Sequence, residues 1–228
     1  GVMVGGAVQR VDQNNPALVG NAIVDGVGNY IELTQDENGL VPIIGNPNPD
    51  FVMSYNSAMS FKNFNLGVLV THTSGGDVYS STIKTLLGRG LTTDTEDRLG
   101  TYILPGVNVD DETGDITTNT TNINNSDYYF SNVAFGPDEL GVYDASVIRL
   151  QEVSLGYTFP TKMLEKTPFG SFSITVSGNN LWYDAYNVPE GTNFDPNVAG
   201  LGVGNGRGFD YLNGPSSRRY GFSVKATF

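Results

Sequence analysis

The chain has no cysteine and a single histidine, His72. The first absence removes thiolate metal sites, iron–sulfur clusters, catalytic thiols and disulfide frameworks together. The second leaves His72 as the sole possible base of a Ser–His–Asp triad. Charge is also scarce. Asp, Glu, Lys and Arg make up 16% of the 228 residues, and 12 basic side chains face 24 acidic ones, a net charge of −12. Neutralising phosphates takes clustered Lys and Arg, so this balance disfavours a nucleic-acid partner. No apolar run reaches the roughly 18 residues of a membrane-spanning helix. There is no initiator methionine and no signal peptide, and the chain opens at Gly1 in mid-pattern, as expected of a piece of something larger. Lacking a spanning helix does not exclude a membrane. Closed β-barrels cross bilayers with alternating strands that never form a long apolar run.

What is abundant points to strands. There are 29 Gly and 11 Pro, with 12 Tyr, 12 Phe and 1 Trp, an aromatic content that argues against disorder. Period-two alternation predicts a strand over 50–62, with Phe51, Met53, Tyr55, Met59 and Phe61 on one face and Ser54, Asn56, Ala58 and Ser60 on the other. After a tight reversal at Lys62-Asn63 comes a second strand with Phe64, Leu66, Val68 and Val70 on one face. A third is predicted from about Ser146 to Phe159, a fourth from Ser171 to about Leu181, and a fifth carries Tyr220, Phe222, Val224, Ala226 and Phe228. Weaker alternation at Val2, Val4, Gly6 and Val8 suggests a sixth. Helix signals are thin: one turn at Lys162–Lys166, and either a short helix or a loop over Ser80–Leu87. Arg149 and Glu152 are three apart, so a regular strand places them on opposite faces.

Strand length and connection length decide the class. Thirteen residues at ~3.3 Å each, tilted by ~45°, cover about 30 Å, the thickness of a bilayer core. Strands of soluble sheets average about 5–6 residues. Short turns at Lys62-Asn63 and Pro160–Gly170 alternate with long stretches over 13–49, 77–145 and 182–218, which places every long connection at one end of the sheet. The fold class expected is all-β: an antiparallel transmembrane β-barrel segment of about six long strands, with long extracellular loops. A secreted all-β adhesin or glycan-binding sandwich is the alternative, and a jelly-roll carbohydrate enzyme is disfavoured because no His-bearing or closely spaced carboxylate constellation is present.

Several motifs resemble a known family. Gly45-Asn46-Pro47-Asn48-Pro49-Asp50-Phe51 resembles the strand entry of SusC/RagA-type TonB-dependent outer-membrane transporters. In the family's order follow Phe61-Lys62-Asn63-Phe64-Asn65-Leu66, Gly75-Gly76-Asp77-Val78-Tyr79, Tyr143-Asp144-Ala145-Ser146-Val147-Ile148-Arg149-Leu150-Gln151-Glu152-Val153-Ser154-Leu155-Gly156-Tyr157, and Ser177-Gly178-Asn179-Asn180-Leu181. The resemblance covers roughly residues 40–228 and implies that 1–228 is the carboxyl-terminal part of a roughly 22-strand barrel, its plug and earlier strands absent. It implies a non-enzymatic importer of oligosaccharides or peptides in the outer membrane of a Gram-negative bacterium. The implied partners are the remainder of the barrel, a SusD-like surface lipoprotein, TonB through the absent amino-terminal part, the barrel-assembly machinery and outer-membrane lipid.

Candidate sites follow from residue type and from the resemblance. Trp182, Tyr183, Tyr186, Phe194, Phe209 and Tyr211 stand among Gly, Asn and Asp in the 182–218 stretch. Planar rings with polar neighbours suit substrate or lid contact, and they equally suit loop packing or an interfacial girdle. Asp36 and Asn38 sit where the family often carries a calcium-type turn, here depleted of its second Asp, and an ordinary Asx/Gly turn is the favoured reading. No other cofactor is expected. Asp110, Asp111, Glu112 and Asp115 read as a solvated acidic loop, His72 as an interfacial residue at the membrane edge. Gly202, Gly204 and Gly206 do not join a strand to a helix, so no nucleotide loop is assigned. Lumen-lining residues are expected to include Asn56, Ser154, Thr175 and Lys225. Tyr220, Phe222, Val224 and Phe228 form an alternating aromatic strand suited to recognition as an assembly signal.

Overall fold

Alternation builds one large sheet. The computed structural model describes residues 1–11, 22–198, 200 and 206–228; Gly202 and Gly204 lie outside them. Five strands form the sheet: β1 (Phe51–Phe61), β2 (Phe64–Ser74), β3 (Val147–Thr158), β4 (Ser171–Asp184) and β5 (Arg219–Thr227). Their order is β5-β4-β3-β2-β1 and every pair is antiparallel. With 9 to 14 residues each, all five reach the ~9–11 residues a tilted strand needs to cross a bilayer. The sheet is open, with β1 and β5 at its edges.

The expected sixth strand does not join it. Met3–Val4 instead pairs with Ile43–Gly45, and Ala7–Val8 with Glu32–Leu33. Gly5 and Gly6 interrupt the pattern there, so two short ladders form instead of one long one.

The short connections behave as read. Phe61 opposes Phe64 across a two-residue turn, in which Lys62 takes a left-handed φ of 52°. Residues Thr161–Leu164 make a single helical turn, and the Gly170 N–H donates to the Thr227 carbonyl at 2.6 Å, tying the turn to β5.

The chain divides into two compact units. The sheet unit comprises Pro49–Gly75, Ser146–Tyr186 and Pro215–Phe228; the other comprises Gly1–Asn48, Gly76–Ala145 and Asn187–Gly214. In register, the starts of β1, β3 and β5 and the ends of β2 and β4 all lie at one end of the sheet, so every segment of the second unit leaves from that end.

The long connections make up this second unit, which has its own core. Val78, Ile83, Leu87, Val133 and Phe194 are buried together, and Val24, Leu104 and Ile123 make a second cluster. A helix, α1 (Ser81–Gly88), forms where the sequence left helix and loop open. Ser80 caps it, its hydroxyl accepting from the Ile83 N–H at 3.1 Å. A short 3-10 turn, Asp138–Gly141, fastens the amino-terminal ladder. Glu139 takes Arg10 in a two-pronged ion pair at 2.7 and 3.0 Å and accepts from the Val8 N–H at 2.7 Å.

Candidate functional site

The sheet has two unlike faces, and register assigns every residue to one of them. On the first lie Met53, Tyr55 and Met59 of β1, opposite His72, Val70 and Leu66 of β2. The same face continues through Ile148, Leu150, Val153 and Leu155, then Ile174 and Val176, then Phe222 and Val224. Within this unit no second layer covers it: Tyr55, Met59, Leu155, Val176, Phe222 and Val224 are all exposed. Aromatic belts bound the face. At the short-turn end, rings run from Phe64 to Tyr157, Phe159, Phe172, Phe169 and Phe228, with successive centroids 4.8 to 5.5 Å apart. At the other end Phe51 meets His72 edge-on at 5.5 Å, and His72 Nε2 lies 3.2 Å from the Tyr186 hydroxyl.

The opposite face is small and polar. One lateral row reads Ala58, Gly67, Ser154, Ser177 and Gly221, and the next Ser60, Asn65, Gly156, Thr175 and Ser223. The first row is closely fitted: a Cβ at Gly67 would stand 2.7 Å from the Ser154 hydroxyl, and one at Gly221 2.6 Å from that of Ser177. Asn56, Ser154, Thr175 and Lys225, the four residues expected to line a lumen, all belong to this face.

Parity fails at one place. Leu150 opposes Val70 of β2 and Glu152 opposes Leu69, so Gln151 is an extra residue. Against β4, Leu150 opposes Trp182 while Glu152 opposes Asn179, so β4 carries its own extra residue there, next to Asn180 at a left-handed φ of 53°. These two bulges shift register and bring Arg149 and Glu152 onto the same polar face, correcting the assignment to opposite sides. Arg149 is only 3% exposed; it hydrogen-bonds the Asn180 carboxamide oxygen and lies 5.2 Å over the Tyr183 ring. The Asn180 side-chain N–H donates in turn to the Ser217 carbonyl at 3.2 Å.

The six aromatic candidates are divided between the two units. Strand β4 runs on to Asp184, so Trp182 and Tyr183 are wall residues: Trp182 falls on the apolar face and Tyr183 on the polar one. Tyr186 stands beside His72 in the sheet unit. The other three belong to the second unit. Phe194, 5% exposed, packs with Val78, Ile83 and Leu87 as a core residue and is not displayed at a surface. Phe209 contacts the Tyr79 ring at 5.9 Å, and Tyr211 is 72% exposed. Tyr220, Phe222 and Val224 share the apolar face of β5, and Phe228 packs on Phe169.

Two carboxylates of the second unit, Asp36 and Asp110, are engaged by backbone N–H groups. Asp36 Oδ1 accepts from the Asn38 and Leu40 N–H groups, both at 2.8 Å, and the Leu40 bond foremost holds its carboxyl below the usual range. With Gly39 at φ 76°, this is an Asx/Gly turn. Asp110 is lowered likewise, chiefly by the Thr113 N–H at 2.7 Å. Among the described residues no group of three or more acidic or His side chains is placed to hold a metal ion. Burial pushes the Tyr30 and Tyr79 hydroxyls up to about 12, and Tyr79 also faces Asp138. Burial lowers Lys84 from its ordinary value, against the opposing pull of Asp138 at 3.6 Å.

Comparison with known proteins agrees with this geometry. No family model matches the chain. TonB-dependent receptor P3 of Formosa agariphila is 30% identical over 139 residues, which is 61% of this chain and 12% of that receptor. TonB-dependent receptor P26 of the same organism is 27% identical over 223 residues, 94% of this chain and 20% of that receptor. Over these stretches the chain is similar to both TonB-dependent receptors. Its fold is shared with the RagAB peptide importer in the closed-closed state, with a TM-score of 0.51 at 15% identity, and in the open-open state, at 0.53 and 16%. Each match covers all of this chain and 22–23% of that one. The SusC/RagA-type motifs read from the sequence therefore sit in a sheet whose fold is shared with those importer structures. The chain spans a fifth or less of the length of its Formosa relatives. No helix among the described residues is long and apolar enough to cross a membrane, a fact that does not bear on crossing by strands.

Proposed function

We propose that this chain is the carboxyl-terminal barrel segment of an outer-membrane active transporter that imports oligosaccharides or peptides. One observation carries the reading: five membrane-length strands share an apolar face that is uncovered within its unit and bounded by two aromatic belts, while the reverse face is small and polar. The apolar face meets lipid. The polar face, with Asn56, Ser154, Thr175 and Lys225, lines the path of the solute. A sandwich would bury the apolar face under a second sheet of the same unit.

In this reading the edges of β1 and β5 pair with the remainder of the barrel, because open edges are adhesive. TonB acts through an amino-terminal part, and a surface lipoprotein works with the second unit, which lies outside the cell. Strand β5, with Tyr220, Phe222 and Val224 on its lipid face, is read by the assembly machinery. The chain performs transport and no catalysis.

The test is made in the full-length protein, with a protease site inserted at Gly114 or at Lys166 and uptake of labelled oligosaccharides and peptides measured with and without a protonophore. Expected are cleavage at Gly114 but not at Lys166 on intact cells, and energy-dependent uptake of one solute class. Recovery of the full-length protein in a secreted fraction, or protection at Gly114 with cleavage at Lys166, would refute the reading.

A further inference from the structure

Charge at the short-turn end of the sheet is almost all of one sign. The two turns there, 62–63 and 160–170, hold Lys62, Lys162 and Lys166 against a single carboxylate, Glu165. All three lysines are exposed, and among the described residues none has a carboxylate within ion-pair distance. At the other end of the sheet unit, Asp50 and Asp184 balance Arg218 and Arg219.

Hydrogen bonds hold the two turns side by side. The Asn63 carboxamide donates to the Thr158 carbonyl at 2.7 Å, and the Thr158 N–H donates to the Asn63 carbonyl at 2.9 Å. Lys62 and Lys162 therefore stand on adjoining turns of one wall. The side on which the Lys62 charge sits is fixed as well. Phe61 shares the parity of Met53, Tyr55 and Met59 and so belongs to the apolar face. The Lys62 ammonium lies 5.3 Å from the centroid of that Phe61 ring.

The aromatic belt begins at the same level, with Phe64 against Tyr157 at 4.8 Å. Such a belt marks where hydrocarbon gives way to headgroups. A cation held on the apolar side at that level faces the headgroup layer, where the anions are phosphates. An ammonium resting on a ring still has N–H donors to offer an anion.

We infer that Lys62, with Lys162 from the adjoining turn, forms a headgroup site for an anionic phospholipid. The ammonium groups meet its phosphate, and the Phe61 and Phe64 rings meet the start of its acyl chains. The rings favour a lipid over a soluble phosphate, which would leave Phe61 and Phe64 uncovered at 71% and 49% exposure. The inference rests on the transport reading above, which sets the apolar face in lipid.

The test uses the full-length receptor in nanodiscs of phosphatidylcholine with a minor fraction of phosphatidylglycerol, the retained lipids being counted by native mass spectrometry. Phosphatidylglycerol should be retained in preference. Lys62→Gln should weaken its retention about fivefold, and Lys62→Gln with Lys162→Gln about 25-fold, as expected for one and two lysines at an anionic headgroup. Lys62→Arg keeps the charge and should retain it as the native receptor does. Both lysines are exposed on turns, so the Gln variants should keep native heat-modifiability. Salt gives a separate reading on the unaltered receptor, because the preference should fall as ionic strength rises. Equal retention of the two lipids, a double variant that binds like the native receptor, or a preference indifferent to salt overturns the inference. Displacement of the lipid by an equal concentration of glycerol 3-phosphate also overturns it, since the occupant would then be a soluble phosphate. A receptor that needs detergent or lipid yet shows no preference sinks only this inference; one that stays monodisperse without either sinks the transport reading first.

Discussion

Val176 and Thr175 are neighbours on β4 with opposite surroundings, which makes them a controlled test of which face meets lipid. Val176 lies between Leu155 and Phe222 on the apolar face, about midway between Phe172 in one aromatic belt and Trp182 toward the other end. Thr175 lies between Gly156 and Ser223 on the polar face. Replacing each with Arg holds depth and strand propensity nearly constant. An arginine in lipid at mid-bilayer costs about 2–4 kcal/mol, which is roughly 30- to 900-fold in an equilibrium constant. The same side chain over the Gly156–Ser223 row meets water and small neighbours, so its cost should be well under half as large. The assay is reversible folding of the full-length receptor into lipid vesicles, followed by urea titration. Val176→Arg should lower the folding free energy by that amount while Thr175→Arg leaves it within about 1 kcal/mol, the usual range of a surface change. Equal losses, or the reverse order, would mean that the inside and outside of the wall have been exchanged.

Three further outcomes follow from particular contacts. Asn180→Gly keeps the left-handed backbone but removes the acceptor from the buried Arg149, so it should cost about 1.5–3 kcal/mol in urea unfolding; Asn180→Ala should cost about 1 kcal/mol more through strain. Phe228→Asp should sharply reduce the heat-modifiable, membrane-assembled receptor, because it sets a charge in the belt against Phe169, whereas Ala226→Val should change it little. Tyr79 is raised from 10.0 to about 12, so its stabilisation is complete below pH 10 and lost as the pH climbs toward 12. Phenolate absorbance should show late-ionising groups, Tyr30 among them, and Tyr79→Phe should remove one phenolate from that late phase; a titration unchanged by the substitution would contradict the burial of Tyr79.

Much of the sheet was legible because a two-residue period survives wherever one face is apolar. Phe64, Leu66, Val68 and Val70, and Tyr220, Phe222, Val224 and Ala226, fall on the face their parity gave them. The bulges at Gln151 and Asn180 were not legible. A bulge is a matter of pairing between strands, and nothing within Leu150-Gln151-Glu152 marks it; Asn180 is one of many Asn residues that tolerate a left-handed backbone. Arg149 was therefore set apart from Glu152. The second unit was opaque for a different reason. Its core joins Val78, Ile83 and Leu87 to Val133 and Phe194, far apart in sequence and without shared periodicity. Phe194, among polar neighbours in sequence, resembled a contact residue when it is packing. Over Ser80–Leu87 the sequence leaves helix and loop open, and the Ser80 cap on the Ile83 N–H decides for α1 only in the folded unit.

The way the second unit is assembled limits how such a surface can diversify. Its three stretches, 1–48, 76–145 and 187–214, are separated in the chain by membrane-length strands, yet each completes the others. Arg10 of the first needs Glu139 of the second. Ser80 of the second needs Asp210 of the third, and Phe194 of the third fills a cavity that Val78, Ile83 and Leu87 would otherwise leave open. Recombination that exchanged one stretch alone would strand an unpaired arginine, a buried carboxylate without its donor, or a hole the size of a benzyl group. Descendants of this chain should therefore inherit the three stretches as a linked set. Single substitutions at outward positions such as Tyr211 are the route by which specificity can drift without rebuilding the whole.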